Sequence, residues 1–401
     1  VYTVSGVADF LDPSTYELDE LELTDLSEAQ DEEFAARLDV AREFAMRGGV
    51  LTLQTGAKGR WREKSFNGEI GLFEIDDLTL ADVEGEQTYR LLDMGPVASF
   101  RGSTDFFNAN RAQFERDEVG SAFDSAVEDY SIAEDIYAGY ALARWDSDRA
   151  SVIGGLRYEH TQTDIVGNFT LLVEEGGQLP NGETAEEDTL FVTPQLTPRN
   201  YGIWLPSLNI RYEPVDDLVM RLAGYRSQVR PNFAQMAPRF ATERNDEDEV
   251  EGEFGNPGLV PYTAWNFDAG LEYYFGRNGA ISAAFFYKDV RDYIVNVEYE
   301  ADGERLVFNG IAFDEAVIPI NADSAEIWGI ELGFAMQWDM LPAPFDGILT
   351  QANYTYTDAS VMVPDGGADT IGELGSLRET MLPTTSEHTV NGVIGYEKGP
   401  I

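Results

Sequence analysis

The chain holds two histidines, His160 and His388, no cysteine, and 73 acidic residues against 27 basic ones. That inventory limits the chemistry at once. Metal binding and acid–base catalysis draw on clusters of His, Asp, Glu and Cys, and neither histidine has a second one near it in sequence. His160 falls on the apolar side of an alternating stretch, which suits an interfacial residue better than a ligand. Thiolate sites and disulfides are excluded by composition. GxSxG, P-loop and HExxH patterns are absent, so an enzyme has no motif to stand on, and neither metal nor cofactor is expected. A formal charge of −46 argues against nucleic acid as a partner, because that affinity rests on Lys and Arg neutralising phosphates.

What remains is binding chemistry. In RSQVRPNF (226–233), Arg230 and Asn232 could stand at the base of a ligand-facing loop; equally, Pro231 could end strand pairing and the rest shape that base. ERNDEDEVEGE (243–253) could attract divalent cations, but it lacks the spaced ligands and glycine of a defined calcium loop and reads as a solvated, self-repelling segment. Aromatic residues beside long connectors, among them Tyr201, Trp204 and Phe240, could stack on a sugar or an aromatic ligand. Trp204 is the leading candidate, with a large face and an N–H donor, and Arg230 supplies a fixed charge. Loop packing and interface anchoring explain the same aromatic residues.

These residues need a frame, and the frame is periodic. Trp328, Ile330, Leu332, Phe334, Met336 and Trp338 alternate with Gly329, Glu331, Gly333, Ala335 and Gln337. Strand side chains alternate faces, so the segment presents one oily and one polar face. The pattern recurs near 37–47, 50–62, 135–147, 150–163, 203–213, 218–227, 265–275, 280–290, 324–338, 346–358 and 386–396. Short turns (48–49, 146–148, 213–218, 276–279, 340–347) alternate with long connectors (63–134, 164–202, 228–264, 291–323, 359–385). Long strands, tight turns on one rim and long loops on the other describe a transmembrane antiparallel up-and-down β-barrel. Arg157, Glu159, Arg211, Glu272 and Glu331 then face the lumen. No apolar run is long enough for a membrane helix, and VYTVSGVADFLDP lacks the basic start and apolar core of a signal peptide. Bacterial single-chain barrels use even strand numbers, so these eleven strands, all within 1–401, are expected to be part of a larger barrel.

Three stretches carry a family resemblance: LPSLNIRYEPVDDLVMRLAGYRSQVRPNFAQMAP, GNPGLVPYTAWNFDAGLEYYFGRNGAISAAFFYKDVRDYIV and NADSAEIWGIELGFAMQWDMLPAPFDGILTQANYTYTDA. Together they resemble the barrel of TonB-dependent outer-membrane receptors, in the branch common in Caulobacter- and Xanthomonas-type bacteria; LPTTSEHTVNGVIGYEKG is similar to the segment that follows. The likeness runs from about 150 to 400, and before 130 only the strand rhythm agrees. It implies part of a 22-stranded barrel whose plug domain lies outside this sequence. It also implies a bacterial outer-membrane receptor that binds a scarce extracellular small molecule amid lipid and LPS. Import would use energy relayed by TonB–ExbB–ExbD through the plug. The aromatic loops suit an oligosaccharide; a ferric siderophore or haem is the alternative within the family, and a passive porin or an adhesive barrel protein the alternative outside it.

Overall fold

The computed structural model describes every residue except 1–9, 87–94, 245–248, 277, 302–303, 309, 323, 365–370, 372, 383 and 399–401. Eleven long strands form one antiparallel meander: β1 Leu21–Met46, β2 Gly49–Glu74, β3 Tyr130–Asp146, β4 Ala150–Val173, β5 Thr189–Val215 and β6 Leu218–Val229. They continue as β7 Tyr262–Phe275, β8 Gly279–Arg291, β9 Ser324–Gln337, β10 Ile348–Pro364 and β11 His388–Tyr396. The sheet curls into a barrel wall. Its tight turns need special backbone: Gly48, between β1 and β2, sits at φ 85°, where a side chain would be strained.

One wall face is a hydrophobic band. Leu38, Leu53, Leu156, Leu208, Leu222, Leu271, Phe285, Leu332 and Val390 are all exposed on it. An aromatic belt closes the band on the long-loop side. Phe34 meets Trp61 at 5.6 Å, Trp61 meets Tyr137 at 5.9 Å, and Tyr158 meets Trp204 at 4.6 Å. Farther round, Phe267 meets Tyr287 at 6.5 Å, Trp328 meets Tyr356 at 5.5 Å, and Tyr356 meets His388 at 5.4 Å. Phe44, Trp145, Tyr212, Tyr273, Trp338 and Tyr396 stand on the same face toward the tight turns. Phe34 to Phe44 and Trp328 to Trp338 span ten residues, and Trp204 to Tyr212 and His388 to Tyr396 span eight. A bilayer core asks about 9–11 residues of a tilted strand. Two aromatic levels at that spacing, with aliphatic side chains between, form a lipid-facing surface.

The opposite face is polar. Asn209, Arg211, Arg221, Asp268, Glu272 and Glu331 line a cleft of about 720 Å³ inside the wall, where Arg221 Nε pairs with Glu272 at 2.8 Å. Leu271, Ile281, Leu332, Phe334, Tyr354 and Val390 line an apolar groove outside it. Registers Ala283↔Leu332 and Ala284↔Glu331 keep the two sets apart.

Above the belt the strands run farther than alternation indicates. β1 begins at Leu21, β2 reaches Glu74 and β4 reaches Val173; beyond the membrane no face meets lipid, the top of β1 is wet on both sides while those of β2 and β4 are covered by loop segments, and the lipid-facing alternation ends. There the wall also splits. Pairing of β5 with β6 stops at Ser207↔Tyr225, although β5 stays paired with β4 up to Val173↔Thr189. Pro194, Pro198 and Pro206 share one parity on this freed stretch, and the β4–β5 ladder runs unbroken past all three. Proline has no N–H to give, so their nitrogens lie on the edge turned away from β4.

Candidate functional site

The long connectors fold into a cap. Segment Phe240–Arg244 pairs in parallel with the top of β4 and antiparallel with Val250–Phe254; Glu315–Asn321 joins the latter in parallel, and Ile294–Glu300 closes the sheet. Phe240, Phe254, Val297, Tyr299, Phe313 and Ile318 form its buried core. Opposite stands helix α1 (Glu118–Glu128), capped by Asp117, which accepts from the N–H groups of Val119 and Gly120. It takes the place of a strand beside the top of β2. The N–H of Leu72 donates to Ser121 Oγ, that of Ile70 to Ser125 Oγ and that of Gly68 to Asp129 Oδ1. Four helical residues rise about 6 Å and two strand residues about 6.8 Å, so every fourth helical side chain meets every second amide.

Between α1 and the cap lies a cavity of about 590 Å³ lined by Asp124, Glu128, Glu243, Glu251, Glu253 and Glu315. Arg239 lines it too and is tied to Glu128 at 2.9 Å. Burial pushes the Glu243 carboxyl above the usual carboxylate range, with Glu174, Asp124 and Glu251 adding repulsion. Burial raises Asp124 as well, beside Glu22, Glu128 and Asp117. The acidic run 243–253 therefore supplies one wall of this cavity; its residues 245–248 lie outside the described ones.

The five residues singled out by sequence do not converge. Arg230 sits in an ionic cluster at belt level on the inner face. Its Nη2 reaches Glu159 Oε2 at 2.8 Å and its Nε lies 3.6 Å from Glu134 Oε2, while Arg60 holds Glu134 at 2.6 Å and Arg157 holds Glu159 at 2.7 Å. Gln228 donates to the same Glu159 at 2.7 Å. Above the split, then, β6 passes inside β4, and these contacts pin it there. Tyr201 lies on this face, opposite Thr161, whose Oγ1 accepts from Arg230 at 3.4 Å. Asn232 caps the short turn Phe233–Met236, its side chain accepting from the Ala234 N–H. That turn delivers Gln235 to the cavity.

Two candidates stand elsewhere. Phe240 is 3% exposed and packs in the cap core, behind the cavity wall, because it neighbours Ala241 on the opposite side of the strand. Trp204 is three residues from Tyr201, an odd step that sends it to the outer face, where it is 54% exposed against Tyr158. It belongs to the aromatic belt. Both histidines also face outward: His160 is opposite Tyr137, and His388 Nδ1 lies 2.9 Å from the Tyr354 hydroxyl. Glu315 and the acidic face of α1 escaped sequence reading, since nothing local marks residues so distant in the chain as neighbours.

Arg230→Ala is expected to cost about 2–3 kcal/mol, because Glu134, 2% exposed, and Glu159 each lose a charged partner but keep another. Denaturant unfolding should show the loss, and amides of 228–240 should exchange faster. Unchanged exchange there would rule out the pin.

No curated protein matches the chain. Among solved structures it resembles the Serratia marcescens hemophore receptor HasR, solved with its hemophore HasA and heme, at 13% identity and TM-score 0.50, covering 91% of this chain and 47% of that one. The ferric-catecholate import receptor Fiu of E. coli K12 matches at 14% identity and TM-score 0.51, over 92% of this chain and 42% of that one. The ferric citrate transporter FecA matches at 13% identity and TM-score 0.52, over 96% and 42%. At such identities the likeness is one of fold, and the chain spans less than half of each of these proteins. A family model described as TonB dependent receptor-like, beta-barrel matches residues 23–400. With that match over nearly the whole sequence, and the belted barrel wall beneath it, the chain belongs to the TonB-dependent receptor β-barrel family.

Proposed function

We propose that this chain is barrel wall and loop cap of a bacterial outer-membrane receptor that captures a scarce nutrient outside the cell and imports it with energy relayed by TonB–ExbB–ExbD. Family membership and the lipid-facing band support the location. The cavity under the cap supports the capture site, since its volume falls in the range of small-molecule pockets. The ligand class we infer is a neutral, hydroxyl-rich molecule such as an oligosaccharide. One observation carries this: the charged side chains of the lining are six carboxylates and one arginine, and carboxylates accept hydrogen bonds from hydroxyls and repel anions. A ferric siderophore or haem bearing carboxylates fits that lining less well. Cavity residues Gln235 and Asn296 add amide donors. Arg230, Asn232 and Tyr201 act in this proposal as supports that place the segment bearing Gln235. Trp204 anchors the wall in the outer leaflet beside lipid and LPS.

Uptake of labelled oligosaccharides, ferric siderophores and haem should be compared in cells making the full-length protein, with and without an energised inner membrane. The expected result is energy-dependent uptake of an oligosaccharide, weakened by Glu251→Ala. Energy-independent uptake would favour a passive porin, and uptake confined to ferric siderophores or haem would overturn the ligand class. Sidedness can be tested separately. Single cysteines in 164–202, 228–264 or 359–385 should label from outside whole cells, and those in 213–218, 276–279 or 340–347 should not. The reverse pattern would invert the orientation.

A further inference from the structure

Across the cap, four glutamates face one another on adjacent strands: Glu243 is opposite Glu251, Glu251 opposite Glu315, and Glu315 opposite Glu300. Directly opposed residues share a face, and like charges so placed destabilise a sheet. A second carboxylate pair adds to the row, for Glu315 shares a hydrogen bond with Glu298. Facing the row from the other elements are Glu174 at the end of β4 and Asp124 of α1; Arg239, the cation in the cavity lining, is already engaged by Glu128 of α1. The cap sheet thus carries a line of self-repelling charges on the very face that closes the cavity.

We propose that the cap is a charge-gated lid, drawn down over the cavity when its glutamate row carries protons and loosened when the row is fully ionised. The direction follows from linkage. The Glu315 carboxyl is raised by its hydrogen bond with Glu298, by burial and by Glu251 and Glu300, and burial raises Glu243. An acid whose folded-state pKa lies above its unfolded value contributes stability below the unfolded value and loses it as pH rises through the folded one. The cap is therefore tightest in acid and loosens as pH climbs out of the raised carboxylate range. Salt screens the same repulsion, so high ionic strength works in the closing direction at neutral pH. The proposal concerns the cap without any ligand, so it stands or falls separately from the ligand class inferred above.

The chain has no cysteine, which makes spin labelling direct. Ala122→Cys on α1 and Ala312→Cys beside the cap core, in the full-length protein in bilayers, report the distance across the cavity. The expected result is one narrow, short distribution at about pH 5 and a longer, broader one at about pH 8, with added salt narrowing the latter. Glu251→Gln, which removes the middle charge of the row, should keep the short distribution at the higher pH; Glu300→Gln, at its end, should do so in part. Identical wild-type distributions at the two pH values would overturn the lid, as would glutamine variants that both broaden like wild type.

Discussion

Phe240→Ala is expected to cost the cap about 3–5 kcal/mol, the usual range for emptying a phenylalanine-sized space in a packed core. Phe240 lies 5.7 Å from Phe254 and 6.4 Å from Phe308, ring centre to ring centre, on the strand that ties the cap to β4. The loss should be local. The cap core draws on Phe240, Val250, Phe254, Tyr299 and Phe313, none of which belongs to the lipid-facing band. Proteolysis and amide exchange in 240–254 and 294–321 should rise steeply while 324–337 stays protected. A ligand-stacking Phe240 would give the opposite pattern: weaker binding with the cap's protection unchanged.

Leu332→Arg is expected to cost about 2–4 kcal/mol, the penalty for a long cationic side chain near the bilayer midplane of a barrel. Leu332 is four residues from Trp328 and six from Trp338, so it sits near the middle of the band, and it is exposed beside Ile281 and Phe334. Glu331→Gln, one residue away in the polar cleft, should change little. Equilibrium unfolding from lipid vesicles gives both numbers. Equal small losses at 331 and 332 would mean that the two faces are not divided between lipid and lumen.

The barrel wall was legible because the bilayer writes itself into the sequence. Leu332 and Glu331 differ in polarity since one meets hydrocarbon and the other water, and a period of two survives wherever that contrast holds. Above the aromatic belt the lipid is gone, and on β1 the contrast vanishes. Residues such as Glu28 and Glu32 of β1 are exposed on a strand with water on both sides, and nothing in their order distinguishes strand from loop. Arg230 was picked out as a charge at a strand end, and the structure does use it there, though for holding Glu134 and Glu159. Trp204 shows a different limit. Its type suited both a ligand platform and a membrane anchor, and only parity against Tyr201 separates the two. The cavity was the least legible part, because Asp124, Glu243 and Glu315 become neighbours through pairings between segments far apart in the chain.

The three prolines on the free stretch of β5 have a consequence for life in a crowded membrane. Neighbouring copies of a barrel drift against one another in the plane, and a bare strand margin with a full set of amides would invite them to fuse into a continuous ribbon. At Pro194, Pro198 and Pro206 that margin offers carbonyls without the matching amides, so a visiting strand finds every attempted seam interrupted. The wall can leave β5 and β6 unpaired above Ser207↔Tyr225 without making the molecule adhesive to its own kind.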